Sequence, residues 1–130
     1  MKSYTDLNQS KKLAEILSLE SADMVYCYTK KGDKLVSSIP IYLTSTPTNT
    51  FKYLYCWSLA ALMDLLPNNE HIETNISRGS WKIDTVEYVP NTWWCEYEDT
   101  ENQTEFNTSA DNPVDACVEM IIKLKKDNLL

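Results

Sequence analysis

Glycine is almost missing from this chain: Gly32 and Gly79 are the only two in 130 residues. Neither a GxGxxG turn nor a GxxxxGKS/T loop can be written with them, which excludes the glycine-rich phosphate cradles of nucleotide-binding folds. Histidine is scarcer still, with His71 alone. Cysteine is present but unpaired in sequence: Cys27, Cys56, Cys95 and Cys117 form no CxxC or CxxH, so the spacing gives no zinc site. Three of these thiols sit beside aromatics, in "YCY", "YCW" and "WWCEY", where a cysteine acts as a small core hydrophobe. Free thiols are expected, with no metal and no cofactor. Long apolar runs are also lacking. None approaches the ~20 residues needed to span a bilayer, and the opening "MKSYTDLNQSKKLAEILSLE" carries no apolar signal-peptide core. The expectation is a cytoplasmic protein with no membrane partner.

Basic residues are the last shortage. Twelve Lys and Arg against nineteen Asp and Glu give a formal charge of −7 and a pI near 4.6. Direct nucleic-acid binding is disfavoured, since such proteins show a basic face to phosphates. Lys123, Lys125 and Lys126 gather at the end of the last helix, where they complement its dipole.

What remains is enough for a core. The chain is 43% apolar and 11% aromatic, and its length suits one domain over 1–130. An amphipathic helix is expected from about Asp6 to Leu19, with Asp6 and Gln9 as a capping box and Leu13, Ile16 and Leu17 inward. Met24–Thr29 and Leu35–Ile39 read as a hairpin around "KKGD", and Pro40–Thr50 as an irregular connection. Ser58 caps an apolar helix, Leu59 to Leu66, that Pro67 stops. "HIETNIS" and "SWKIDTVEYV" read as strands joined by "RGS", with a bulge near Asp84 and Thr85. "Pro-Asn" then turns the chain into "TWWCEYE", and "TEFNT" follows. Asn112, Pro113 and Asp115 open a final helix to about Lys126. The order α-β-β-α-β-β-β-β-α predicts an α+β domain: an antiparallel sheet with helices packed on one face.

The stretch "TWWCEYEDTENQTEF" holds the candidate site. Strand alternation puts Trp93, Cys95 and Tyr97 on one face and Trp94, Glu96 and Glu98 on the other. Trp94 with Glu96, Glu98, Asp99 and Glu101 is the candidate partner-binding group, an aromatic anchor rimmed by acid. Trp57, Trp81, Trp93 and Trp94 could instead line a pocket for a sugar or nucleobase, but most fall on core parity and serve packing. No catalytic residue is assigned: His71 lies in a polar loop, and Ser58 lacks the GxSxG elbow of a nucleophile. The carboxylates do not have the spacing of an EF-hand loop.

Three blocks, "SADM", "CWSLAALMDLLP" and "ADNPVDACVEMIIKL", resemble a group of small uncharacterised proteins encoded by phages and mobile elements of Bacteroidales. The resemblance implies an intracellular accessory protein and carries no activity with it. The functional expectation is non-enzymatic binding to a host or phage protein, with a homo-oligomer possible. The alternative is an acidic inhibitor that mimics nucleic acid.

Overall fold

The computed structural model describes residues 1–29, 31–32, 34–43, 52–82 and 87–130, excepting the side chains of 80–82 and 87–89. It is an α+β fold with three α-helices and two three-stranded antiparallel sheets. The residues gather into two compact units, Tyr4–Ala61 and Leu62–Leu130 with Met1–Ser3.

In the Tyr4–Ala61 unit, α1 (Leu7–Ile16) starts as its capping box dictates. The Gln9 amide donates to Asp6 Oδ1 at 2.8 Å, and the Asp6 amide donates to Gln9 Oε1 at 3.1 Å. The helix stops before the expected Leu19, because Leu17 is already extended. Strands β1 (Met24–Tyr28), β2 (Ile41–Tyr42) and β3 (Lys52–Cys56) form a sheet ordered β2-β1-β3, and α1 packs on β3. The expected hairpin partner of β1, Leu35–Ile39, contributes only a single bridge from Leu35 to Tyr28. A side chain explains the loss: Ser37 Oγ accepts the Ile39 amide at 3.1 Å, taking a donor that a strand would give to its neighbour. Pairing resumes only past Pro40, where Ile41 meets Val25 and Tyr42 meets Met24. The β3 strand falls in a tract that the sequence pattern left unassigned, ahead of the helix.

The preceding segment is stitched to the end of β3. Thr5 donates its amide to the Trp57 carbonyl at 2.9 Å and accepts the Trp57 amide on Oγ1 at 3.1 Å. Thr5 Oγ1 also shares a 2.8 Å hydrogen bond with Ser10 Oγ, which is why a serine can be buried on α1. Cys56 lies in the same cluster, and burial pushes its thiol up.

Helix α2 (Leu59–Leu65) spans the boundary between the units. Ser58 Oγ accepts the Ala61 amide at 3.2 Å, as a cap should. The Ser58 hydroxyl itself donates to the Asp23 carboxylate, which also takes the Ser58 amide at 2.9 Å. Ala61, Leu62 and Leu66 are buried, while Ala60, Met63 and Asp64 are exposed.

In the other unit, β4 (Ile72–Lys82), β5 (Glu87–Asp99) and β6 (Thr104–Ala110) form the second sheet in that order. The pieces expected as four strands are three. "RGS" does not separate two strands but lies inside β4, and Pro90-Asn91, expected as a turn, lies inside β5. Between them is a wide bulge: Arg78 pairs with Trp93 and Ser80 with Val89, so Gly79 alone faces Pro90, Asn91 and Thr92. Gly79 has φ +76°, a conformation that other residues rarely adopt. Pro90 is tolerated because a bulge asks for no ladder donor at its position. The bulge expected at Asp84 and Thr85 lies outside the described residues. Helix α3 (Pro113–Lys126) follows as expected, with Asn112 Oδ1 accepting the Asp115 amide at 2.9 Å. Its buried stripe, including Val114, Cys117, Ile121 and Leu124, packs on β5 and β6.

Candidate functional site

The second sheet has two chemically opposite faces, set by strand alternation. Inward lie Cys95, Tyr97 and Asp99 of β5, each buried. Tyr97 stacks on Phe106 across the strands at 5.6 Å, and Lys123 of α3 sits 4.3 Å over the Phe106 ring. Cys95 and Cys117 share a hydrogen bond; it, and then burial, pushes the Cys117 thiol up. Both thiols are fully buried and are part of the packed core.

Outward, the register lines residues up in three rows. Ser77, Trp94 and Ser109 form the first, Asn75, Glu96 and Asn107 the second, and Glu73, Glu98 and Glu105 the third. All are exposed except Trp94, which is half-buried. Neighbouring strands lie about 4.8 Å apart, so the third row sets three carboxylates side by side. Like charges directly opposite one another destabilise a sheet. Among the described residues, no lysine or arginine forms an ion pair with Glu73, Glu96, Glu98 or Glu105. A shallow concavity of about 150 Å³ lies among Glu73, Asn75, Glu96, Glu98, Glu105 and Asn107. That is too small for a cofactor, which needs some 300–1,000 Å³, and of a size for the end of one long side chain. Beside it, Trp94 Nε1 is shut off from water and meets no acceptor among the described residues.

The structure therefore brings Trp94, Glu96 and Glu98 together and separates Asp99 from them. Asp99 is on the inward parity and only 4% exposed. Its Oδ1 accepts the amides of Glu101 and Asn102 at 3.0 and 3.1 Å, and its Oδ2 accepts Asn102 Nδ2 at 2.8 Å. It builds the β5–β6 turn, in which Gln103 takes φ +52°. Glu101 is exposed at the tip of that turn. Glu73, and Asn75 and Asn107 on either side of Glu96, were not grouped with this site from sequence. The signal was available in "HIETNIS", where Ile72, Thr74 and Ile76 leave Glu73 and Asn75 on the opposite face.

The Asp99 cap carries a pH dependence. The hydrogen bonds from the Asn102 side chain and amide hold the Asp99 carboxyl below its ordinary 3.8. A depressed carboxylate stabilises the fold above its unfolded value and loses that contribution as pH falls through the folded one. The turn should therefore open only below about pH 3.8. The Glu101 and Asn102 amide shifts should report that opening, and Asp99→Asn should abolish the transition. An opening near neutral pH would contradict this role.

His71 lies at the same end of the sheet as the β5–β6 turn, its carbonyl accepting the Thr100 amide at 2.9 Å. It lines a cavity of about 320 Å³ with Asn68, Glu70, Glu73 and Glu98. Asp115 is tied to Lys2 at 2.7 Å and Cys117 to Cys95. Among the described residues, no three His, Cys, Asp or Glu side chains converge to hold a metal ion. Among them too, no helix is long and apolar enough to cross a membrane. No protein-family model matches this chain, and neither a curated protein nor a solved structure does.

Proposed function

We propose that the chain is a non-enzymatic protein-binding module whose contact surface is the outward face of the second sheet. One observation carries this reading: the row Glu73, Glu98, Glu105, three adjacent carboxylates with no cation paired to them among the described residues. Such a row costs stability in the free protein, and a basic partner group seated in the adjoining concavity relieves that cost. Trp94 supplies the apolar anchor beside the charge, the combination on which binding hot spots are built. The partner is a protein presenting lysine or arginine next to apolar side chains. With the resemblance of the three sequence blocks, this describes a cytoplasmic accessory protein of a phage or mobile element.

The carboxylate rows also favour a second reading, a nucleic-acid mimic that occupies the basic groove of an enzyme. The two readings rank the same variants differently. For a partner recovered from host cytoplasm and purified, the module reading expects Trp94→Ala to weaken binding about 30-fold or more, the loss typical of a hot spot. It also expects only a small change between low and physiological salt. The mimic reading expects Glu96→Lys with Glu98→Lys to abolish binding, and wild-type affinity to fall steeply with salt. If none of these substitutions changes the affinity, the face is not the contact surface.

A further inference from the structure

The bulge in the second sheet shapes a groove of about 690 Å³ on the inward side, lined by Lys2, Arg78, Asn91, Trp93, Asp111 and Asn112 among others. This volume is within the range of small-molecule sites. Two of the lining groups are committed to the fold: Lys2 pairs with Asp115 at 2.7 Å, and the Asn112 side chain caps α3. Four are presented to the groove. Trp93 is only half-buried although it shares the parity of Cys95 and Tyr97. Arg78 holds its guanidinium carbon 5.8 Å from the Trp93 ring centroid. Its Nε donates to the Pro90 carbonyl at 3.1 Å, which fixes the side chain and leaves both terminal amino groups for a ligand. Asn91 and Asp111 are exposed and make no side-chain hydrogen bond or ion pair among the described residues.

These four groups define what fits. The ligand needs a flat face for the indole, a fork of two acceptors for the Arg78 amino groups, and a fork of two donors for the Asp111 carboxylate. It carries no large net charge at the recognised end, because Arg78 and Asp111 cancel. Guanine meets all three demands. Its O6 and N7 accept a bidentate arginine, and its N1–H and N2–H₂ give a carboxylate two donors. Adenine places a donor, N6–H₂, beside N7, so it offers arginine no such fork. Bases stack on aromatic side chains and on arginine planes alike. We infer that the groove beside the bulge binds the guanine base of a nucleoside or mononucleotide.

The test is titration of the full chain with guanosine 5′-monophosphate, followed through the backbone amides and the four indole N–H signals. Trp93 and the amides of Arg78, Asn91 and Asp111 should shift, while those of Glu96 and Glu98 on the outward face stay still. Adenosine 5′-monophosphate should bind at least tenfold more weakly. Asp111→Asn should narrow that preference, leaving the part that the Arg78 fork supplies, and Trp93→Leu should weaken both nucleotides; both variants should keep the wild-type amide pattern in β6 and α3. Equal binding of the two nucleotides, or no shift at millimolar concentration, overturns the assignment. So does tighter binding of a zwitterionic amino acid such as phenylalanine, which could bridge Arg78 and Asp111 without a base.

Discussion

Trp57→Ala should lower the unfolding free energy by about 3–5 kcal/mol, the range for emptying a large aromatic site. The indole is 0% exposed, and it is fixed from several directions. Its Nε1 donates to Ser21 Oγ at 2.9 Å, and its amide and carbonyl are both tied to Thr5. The backbone bonds survive the substitution, so the loss comes from the ring and its one polar contact. Domains of this size are held by about 5–15 kcal/mol in total, and such a variant stands near the edge of folding at 37 °C. Urea titration at 15 °C measures it. Trp57→Phe separates the two contributions: most of the volume stays, the Ser21 bond goes, and the cost should drop to about 1–2 kcal/mol. An alanine variant as stable as the parent would mean that Trp57 is not a core residue.

The second large effect belongs to α2. Leu62 is 0% exposed, and Leu62→Ala should cost about 2–5 kcal/mol, depending on how far the site collapses around the missing atoms. The next residue is the control. Met63 is 48% exposed, and Met63→Ala should stay within about 0.5 kcal/mol. The two positions share one helix and differ in burial, and alanine is the strongest helix former, so similar losses at both would mean that the burial of Leu62 does not set its contribution.

What could be read from the chain was what depends on neighbours in sequence. The Asp6–Gln9 capping box, the Asn112–Pro113 start of α3 and the Ser58 cap each rest on a side chain reaching its own backbone. The alternation that sets Trp94, Glu96 and Glu98 on one side of β5 is equally local, a property of the strand backbone itself. Features that depend on pairing with distant strands were harder. Strand β3 needs β1 to exist as a strand at all. The long β4 and β5 were cut at "RGS" and "Pro-Asn" because both are ordinary turn signals; only the opposite strand shows that they belong to one bulge. Asp99 was grouped with the outward acids by charge, although parity already placed it with Cys95 and Tyr97. Counting positions was the better guide there. The glutamate row required the register of three strands, and no local pattern specifies it.

The bulge also limits how the gene can change length. Two steps along β4, from Arg78 to Ser80, correspond to four along β5, from Trp93 back to Val89. The excess is even, a whole number of the two-residue steps by which a strand repeats. Losing or gaining a single codon among Pro90, Asn91 and Thr92 would put every later side chain of the strand on the wrong face. Codons lost or gained in pairs would not. Descendants of this chain should therefore vary by two residues at this point and seldom by one.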